Sequence, residues 1–120
     1  MVVDSSVWIE LLTGGRLQGA CERHIHKQTV EIPTMVLFEI YRKIKKSVSE
    51  QEALEAIGAL SAYRVVDLTR DIALLAADLS LEFKLAMADG FVLAHARHLG
   101  TTLLTLDNDF ESIPGVNVLR

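Results

Sequence analysis

Cysteine is nearly absent: Cys21 stands alone in 120 residues. No internal disulfide framework can hold the fold, and the count suits a reducing cytoplasm. Proline numbers two and glycine seven, which excludes collagen-like and low-complexity chains. The longest uninterrupted apolar run, Ile72 to Ala77, is far too short to span a bilayer. No basic leader precedes Val2, so no signal peptide is expected. A Gly-rich phosphate loop, a nucleophile elbow and an HExxH pattern are all missing, and with them the commonest sequence signs of those chemistries. An excess of basic charge is missing too. Lys and Arg total 12 against 16 Asp and Glu, a net charge of −4, so net charge alone does not point to nucleic acid.

What is present reads as one globular domain over residues 1–120, half of them hydrophobic and 23% charged. Short β-rich runs alternate with longer helix-periodic stretches. Val2-Val3 reads as a strand ending at Asp4, and Ser6 to Leu12 as a helix stopped by Gly14-Gly15. Leu17 to Lys27 is a second helix, and Val30 to Ile32 a strand closed by Pro33. Thr34 is the expected N-cap of a helix to Ser47, with Val36, Ile40 and Ile44 on one face. Ser49 and Glu52 form a capping box for a helix to Ala62. Arg64 to Val66 is a strand and Thr69 to Phe83 a helix striped by Ile72, Leu75, Ala76, Leu79 and Phe83. Asp89 to Leu99 is a helix ended by Gly100, and Thr101 to Thr105 a strand. A helical turn after Asp107 and a strand at Val116 to Val118 follow. Such alternation predicts an α/β sandwich around a mostly parallel sheet, with any ligand outside the carboxyl ends of the strands.

Acids collect where that rule directs attention. Asp4 ends one strand and Asp107 another, with Asp109 close behind; Glu39 and Asp89 sit on helices in apolar company. Asp4 and Asp107 share a sheet edge only if their strands are neighbours, which chain order leaves open. Four converging carboxylates would repel unless a cation compensated, and all-oxygen ligation favours Mg²⁺ or Mn²⁺ over Zn²⁺. Each acid also has a plainer use. Asp4, Asp89 and Asp107 are ordinary cap candidates, and Glu39 could simply face solvent. Only their joint placement argues for a site.

The segments that carry these acids resemble those of the PIN-domain ribonucleases, in particular the small VapC-type toxins. The matching pieces are Val-Val-Asp-Ser-Ser-Val-Trp-Ile (2–9), Pro-Thr-Met-Val-Leu-Phe-Glu-Ile (33–40), Ala-Asp-Gly-Phe-Val-Leu-Ala-His-Ala (88–96), Leu-Leu-Thr-Leu-Asp-Asn-Asp-Phe (103–110) and Ile-Pro-Gly-Val (113–116). The resemblance implies a three-layer sandwich whose mostly parallel sheet has about five strands flanked by helices. It implies a Mg²⁺- or Mn²⁺-dependent endoribonuclease in which a metal-activated water cuts RNA, acting as the toxin of a toxin–antitoxin pair. Asp4, Glu39, Asp89 and Asp107 would be the catalytic, metal-binding acids. Asp107 is taken as the fourth ligand because it directly ends its strand, with Asp109 the alternative. Ser5 or Ser6, and Thr105, would be the hydroxyls near the metal. A cognate antitoxin, a homodimer and a cytoplasmic location are implied as well. Gly90 departs from the Ala often found there, which would loosen the start of its helix.

Arg42, Lys43 and Lys46 follow Glu39 at i+3, i+4 and i+7, one continuous helix face. They are candidates for holding RNA phosphates, against the alternative of a solvated helix face. His24, His26, His95 and His98 lack a further zinc ligand at matching spacing and are expected to be exposed. Trp8 and Phe38 are expected to pack in the core or at an interface, and Cys21 to be buried. Two other functions stay open: a PIN-like module that binds RNA or a partner without cutting, and a receiver-type Mg²⁺-binding signalling domain. The second would need a Lys ending a late strand, and none follows residues 101–105.

Overall fold

The computed structural model describes residues 1–26 and 28–120. Along the chain β1 (Val2–Val3) leads into α1 (Ser5–Thr13) and α2 (Gln18–Ile25). β2 (Glu31–Pro33) leads into α3 (Thr34–Ser47) and α4 (Glu50–Leu60), and β3 (Arg64–Val66) into α5 (Arg70–Phe83) and α6 (Met87–His98). β4 (Leu103–Thr105), a 3₁₀ turn (Asn108–Phe110) and β5 (Val116–Val118) follow. Local chemistry sets the boundaries. Gly14, at φ 71°, takes the left-handed turn that ends α1 and donates its N–H to the Glu10 carbonyl. Ser49 Oγ accepts the Glu52 N–H at the head of α4, and Thr69 Oγ1 accepts that of Ile72 at the head of α5, so both predicted starts hold.

Several predicted boundaries move. Pro33, not Thr34, is the N-cap of α3, and Pro33 also lies inside β2, paired with Val66 of the neighbouring strand. The α6 helix begins at Met87, two residues before Asp89, with Ala86 at the cap. β4 is confined to Leu103–Thr105, and α4 ends at Leu60. The second helix ends at Ile25, and the predicted end at Lys27 lies outside the described residues.

All five strands are parallel, in the order β3-β2-β1-β4-β5. β1 and β4 are therefore neighbours, with Val2 opposite Leu103 and Val3 opposite Leu104. The strand order reverses between them, and the carboxyl-end crevice at such a reversal is where open α/β sheets bind ligands. Receiver domains follow a different order, 2-1-3-4-5, which overturns that alternative. Right-handed crossovers carry α1–α4 over one face of the sheet and α5 and α6 over the other. Val2, Val3, Ile32, Leu103 and Leu104 are wholly buried, as central parallel strands covered on both faces must be. Val36, Ile40 and Ile44 are the buried face of α3, as their spacing predicts. Among the described residues no helix is long and apolar enough to cross a membrane.

Candidate active site

The site is built on the β1–β4 pairing. The Asp4 N–H donates to the Leu104 carbonyl, and one further step along both strands sets Asp4 beside Thr105. The Asp4 backbone carbonyl starts α1, but its side chain makes no cap bond. Instead, Asp4 Oδ2 accepts from Thr105 Oγ1 at 2.8 Å and from Ser6 Oγ at 2.9 Å. Each hydroxyl in turn accepts a backbone N–H from the segment after β4: Thr105 Oγ1 that of Asp107 at 3.0 Å, Ser6 Oγ that of Leu106 at 3.1 Å. Two hydroxyls thus tie the ends of two strands to one buried carboxylate. Both were hydroxyl candidates, and of Ser5 and Ser6 it is Ser6 that joins this network.

The other acids arrive from three directions. Asp89 projects from the first turn of α6 and is not its cap. Asp107 does cap, accepting the Asp109 N–H on Oδ1 at 2.9 Å. Ligand oxygens of Asp89, Asp107 and Asp109 all lie within 4.8 Å of one another. Asp109 therefore joins Asp107 rather than competing with it. Asp4 and Glu39 stand outside this trio but within its electric field. Glu39 comes from α3, which meets α6 in the fold. Its Oε1 is buried without a hydrogen-bond partner.

Crowding of like charge shows in the proton affinities. Asp89 is pushed up to about 7, first by burial and then by the charges of Asp4, Asp107, Glu39 and Asp109. Burial raises Glu39, and the Asp4 charge adds to it, with the Ser5 hydroxyl partly offsetting. Asp4 is raised by burial against the lowering effect of the Thr105 and Ser6 hydrogen bonds. Such a set cannot be fully ionised near neutrality without a cation. Its donors are carboxylate oxygens, with no Cys or His in the described trio, and it holds an orphaned acceptor at Glu39. That chemistry fits Mg²⁺ or Mn²⁺.

Gly90 has a packing role rather than a loosening one. A Cβ there would collide with Ser80 Oγ and lie 3.0 Å from the Ala76 carbonyl oxygen. Its bareness lets α5 lie against α6 one residue from Asp89. Of the basic candidates, Arg42 and Lys43 line a cleft of about 400 Å³ with Ser5, Ile9, Phe38 and Glu39. Lys46 is exposed farther along the helix.

Among the bystanders, His95 and Phe38 sit differently from a plain exposed histidine and a core aromatic. His24, His26 and His98 are exposed, but His95 is wholly buried on α6, with neither ring nitrogen partnered. Burial lowers its pKa, so it is neutral and takes no part in a zinc pair. Trp8 is buried as expected and packs on Tyr63 at 5.2 Å between ring centroids. Phe38 is not buried: 60% of it is exposed in the chain alone. The α3 periodicity held the signal, because Phe38 lies two residues from Val36 and so on the opposite side of the helix.

Sheet order, the switch-point crevice and the carboxylate trio define an α/β domain with a cluster of acids at its strand ends whose oxygens lie close enough to share a cation. The model of the PIN domain family matches residues 1–116, and the chain belongs to that family. Among curated proteins no sequence matches it. Among solved structures it is similar to a toxin–antitoxin complex from Klebsiella pneumoniae, with 28% identity, a TM-score of 0.83, and 98% of this chain and 95% of that one covered. It is also similar to VapC20 of Mycobacterium tuberculosis, a sarcin–ricin-loop-cleaving toxin, at 22% identity and TM-score 0.81, covering 98% and 97%. A third is DNA-bound VapBC from Salmonella typhimurium, at 19% identity and TM-score 0.77, covering 98% and 95%. Its structural neighbours are thus VapC-type toxins, as the resemblance implied, and the TM-scores show that the fold is shared with them.

Proposed function

We propose that residues 1–120 act as one nuclease domain that cuts single-stranded or exposed RNA with Mg²⁺ or Mn²⁺, as the toxin of a toxin–antitoxin pair in the cytoplasm. The observation that carries this reading is the gathering of acids from β1, α3, α6 and the turn after β4 on the β1–β4 edge. Asp89, Asp107 and Asp109 hold the cation, and Asp4, fixed by Ser6 and Thr105, adds negative charge beside them. The cation supplies a Lewis acid that lowers the pKa of water and offsets charge building on the phosphate. Glu39 Oε1, buried and free of other bonds, orients the attacking water in line with the leaving 3′ oxygen and accepts its proton. Its raised pKa brings its proton affinity closer to the working pH, as a general base requires. Arg42, Lys43 and Lys46 hold neighbouring phosphates by charge.

The products carry 3′-hydroxyl and 5′-phosphate ends. A cognate antitoxin covers the acidic crevice, a reading supported by the toxin–antitoxin complex among the similar structures. A second copy of the chain covers apolar surface on α5, where Leu74 and Leu81 are exposed; sedimentation as a monomer at micromolar concentration would contradict this. The function is tested by incubating mixed single-stranded RNAs with Mg²⁺, Mn²⁺ or EDTA. Cutting should need the metal, leave ligatable 3′-hydroxyl ends, and fall by about 100-fold or more in Asp107→Asn. Equal cutting in EDTA would overturn the reading.

A further inference from the structure

Phe38 is a large aromatic ring left mostly in water, one residue from Glu39 and beside the acidic crevice. It forms a wall of the cleft lined by Ser5, Ile9, Glu39, Arg42 and Lys43. Ser5 and Glu39 join that cleft directly to the acids. At its other side, one helical turn along α3, stand two exposed cations. Among the described residues neither Arg42 nor Lys43 forms an ion pair, while Lys45 on the same helix pairs with Glu50. Ring and unpaired cations thus line one cleft, with the acidic edge at its side.

That combination matches the parts of one nucleotide: a base offers a π-face, and the phosphate beyond it offers negative charge. Phe38 also borders an apolar cleft with Thr34, Met35, Leu68 and Met87, which makes an apolar protein partner the competing occupant; on the Arg42 and Lys43 side such a partner would cover two cations and leave them unpaired. We propose that this cleft is a nucleotide subsite beside the scissile phosphate, where Phe38 stacks the flanking base and Arg42 and Lys43 hold the next phosphate. The subsite rests on the nuclease reading above and adds a base contact to it. Stacking of this kind is tolerant of sequence, so Phe38 contributes affinity and register rather than a base code.

The test is fluorescence anisotropy with a short, labelled, mixed-sequence single-stranded RNA, in EDTA so that nothing is cut. Phe38→Ala should bind about 5- to 150-fold more weakly than the parent chain, and Phe38→Trp within a few-fold of it. A series of RNAs with one abasic position each adds the decisive arm. One abasic position should weaken binding to the parent chain and have no effect on Phe38→Ala. Lys43→Gln should lower the slope of log affinity against log salt by about 0.7, the share of one single-strand phosphate.

Equal binding by Phe38→Ala and the parent chain would overturn the subsite and leave the nuclease reading standing if the parent chain still cuts RNA with Mn²⁺. A flat abasic series, with Phe38→Ala sedimenting as a smaller species, would assign the ring to a contact between copies and overturn the subsite too. A parent chain that neither binds nor cuts RNA would remove both readings. Circular dichroism melting of Phe38→Ala, at a position already in solvent, separates lost binding from lost fold.

Discussion

Replacing Asp89 by Asn should make the metal-free protein more stable, and the metal-loaded protein less so relative to the parent chain. Asp89 is raised from 3.8 to about 7 by burial and by four neighbouring acids. In the unfolded chain it titrates near its ordinary value. Between those two pH values the folded state holds a proton that the unfolded state releases, so stability falls as pH rises through the window. Taken at face value the shift is worth about 4 kcal/mol at 1.36 kcal/mol per pH unit. The side chain is only partly buried, and solvent screening cuts this to about 1–2 kcal/mol. Its place in the first turn of α6 favours the negative charge by about 0.5 kcal/mol. Repulsion still wins, by about 1 kcal/mol.

In differential scanning fluorimetry with EDTA, Asp89→Asn should therefore melt roughly 3–6 °C above the parent chain at pH 8, with the gap closing near pH 4. Saturating Mn²⁺ adds to the parent chain by mass action, about 2.7 kcal/mol at 100 times the dissociation constant. It adds less to the variant, which has lost a ligand oxygen, so the order of melting temperatures inverts. An Asn variant no more stable than the parent at pH 8 in EDTA would refute the charge-crowding account. Equal Mn²⁺ stabilisation of both would refute Asp89 as a ligand.

Four further outcomes follow from the same contacts. Gly90→Ala gains about 1 kcal/mol of helix propensity but drives a methyl into Ser80 Oγ and toward the Ala76 carbonyl, an overpacking cost of about 1–3 kcal/mol; urea melts should show net loss, partly restored by adding Ser80→Ala, and no restoration would place the strain elsewhere. Thr105→Val keeps the shape but strips the Asp107 N–H of its acceptor and Asp4 of a donor, costing about 1–3 kcal/mol in the same assay. His95 is buried and neutral with a lowered pKa, so acid favours the unfolded chain, which takes up the proton more readily; below about pH 6.5 His95→Met should lose less stability than the parent chain, as thermal melts at pH 5 would reveal. Glu39→Gln keeps the volume and removes the proton acceptor, and should lower the RNA cleavage rate by about 100-fold without lowering the melting temperature, because it also removes a charge that burial and Asp4 disfavour.

Local patterns carried much of this structure. Val36, Ile40 and Ile44 fixed the buried face of α3, Ser49 and Thr69 announced their helices, and Asp4 and Asp107 stood visibly at strand ends. What no local pattern holds is the pairing of β1 with β4, a contact between segments about a hundred residues apart in which loop-closure cost is settled by burial of the whole sheet. The Ser6–Asp4–Thr105 network depends on that pairing and was legible only through the family resemblance. Asp109 looked like a rival to Asp107 because the two are neighbours in sequence; a turn capped by Asp107 itself points both at Asp89. His95 was misread because histidine is commonly exposed, although five residues around it on α6 are buried. For Phe38 the core half of the expectation fails, because aromatic residues are commonly buried while its own helix put it on the wet side.

The central claim is that the gathered acids bind a divalent ion and that this ion makes the chain a ribonuclease. Its most direct test measures RNA cleavage rate and Mn²⁺ binding by calorimetry over the same range of Mn²⁺ concentration, for the parent chain and Asp4→Asn. The account predicts that the two midpoints coincide in the parent chain and that Asp4→Asn, still folded by circular dichroism, loses cutting. Cutting that persists in Asp4→Asn, or that proceeds where no Mn²⁺ is bound, would contradict it.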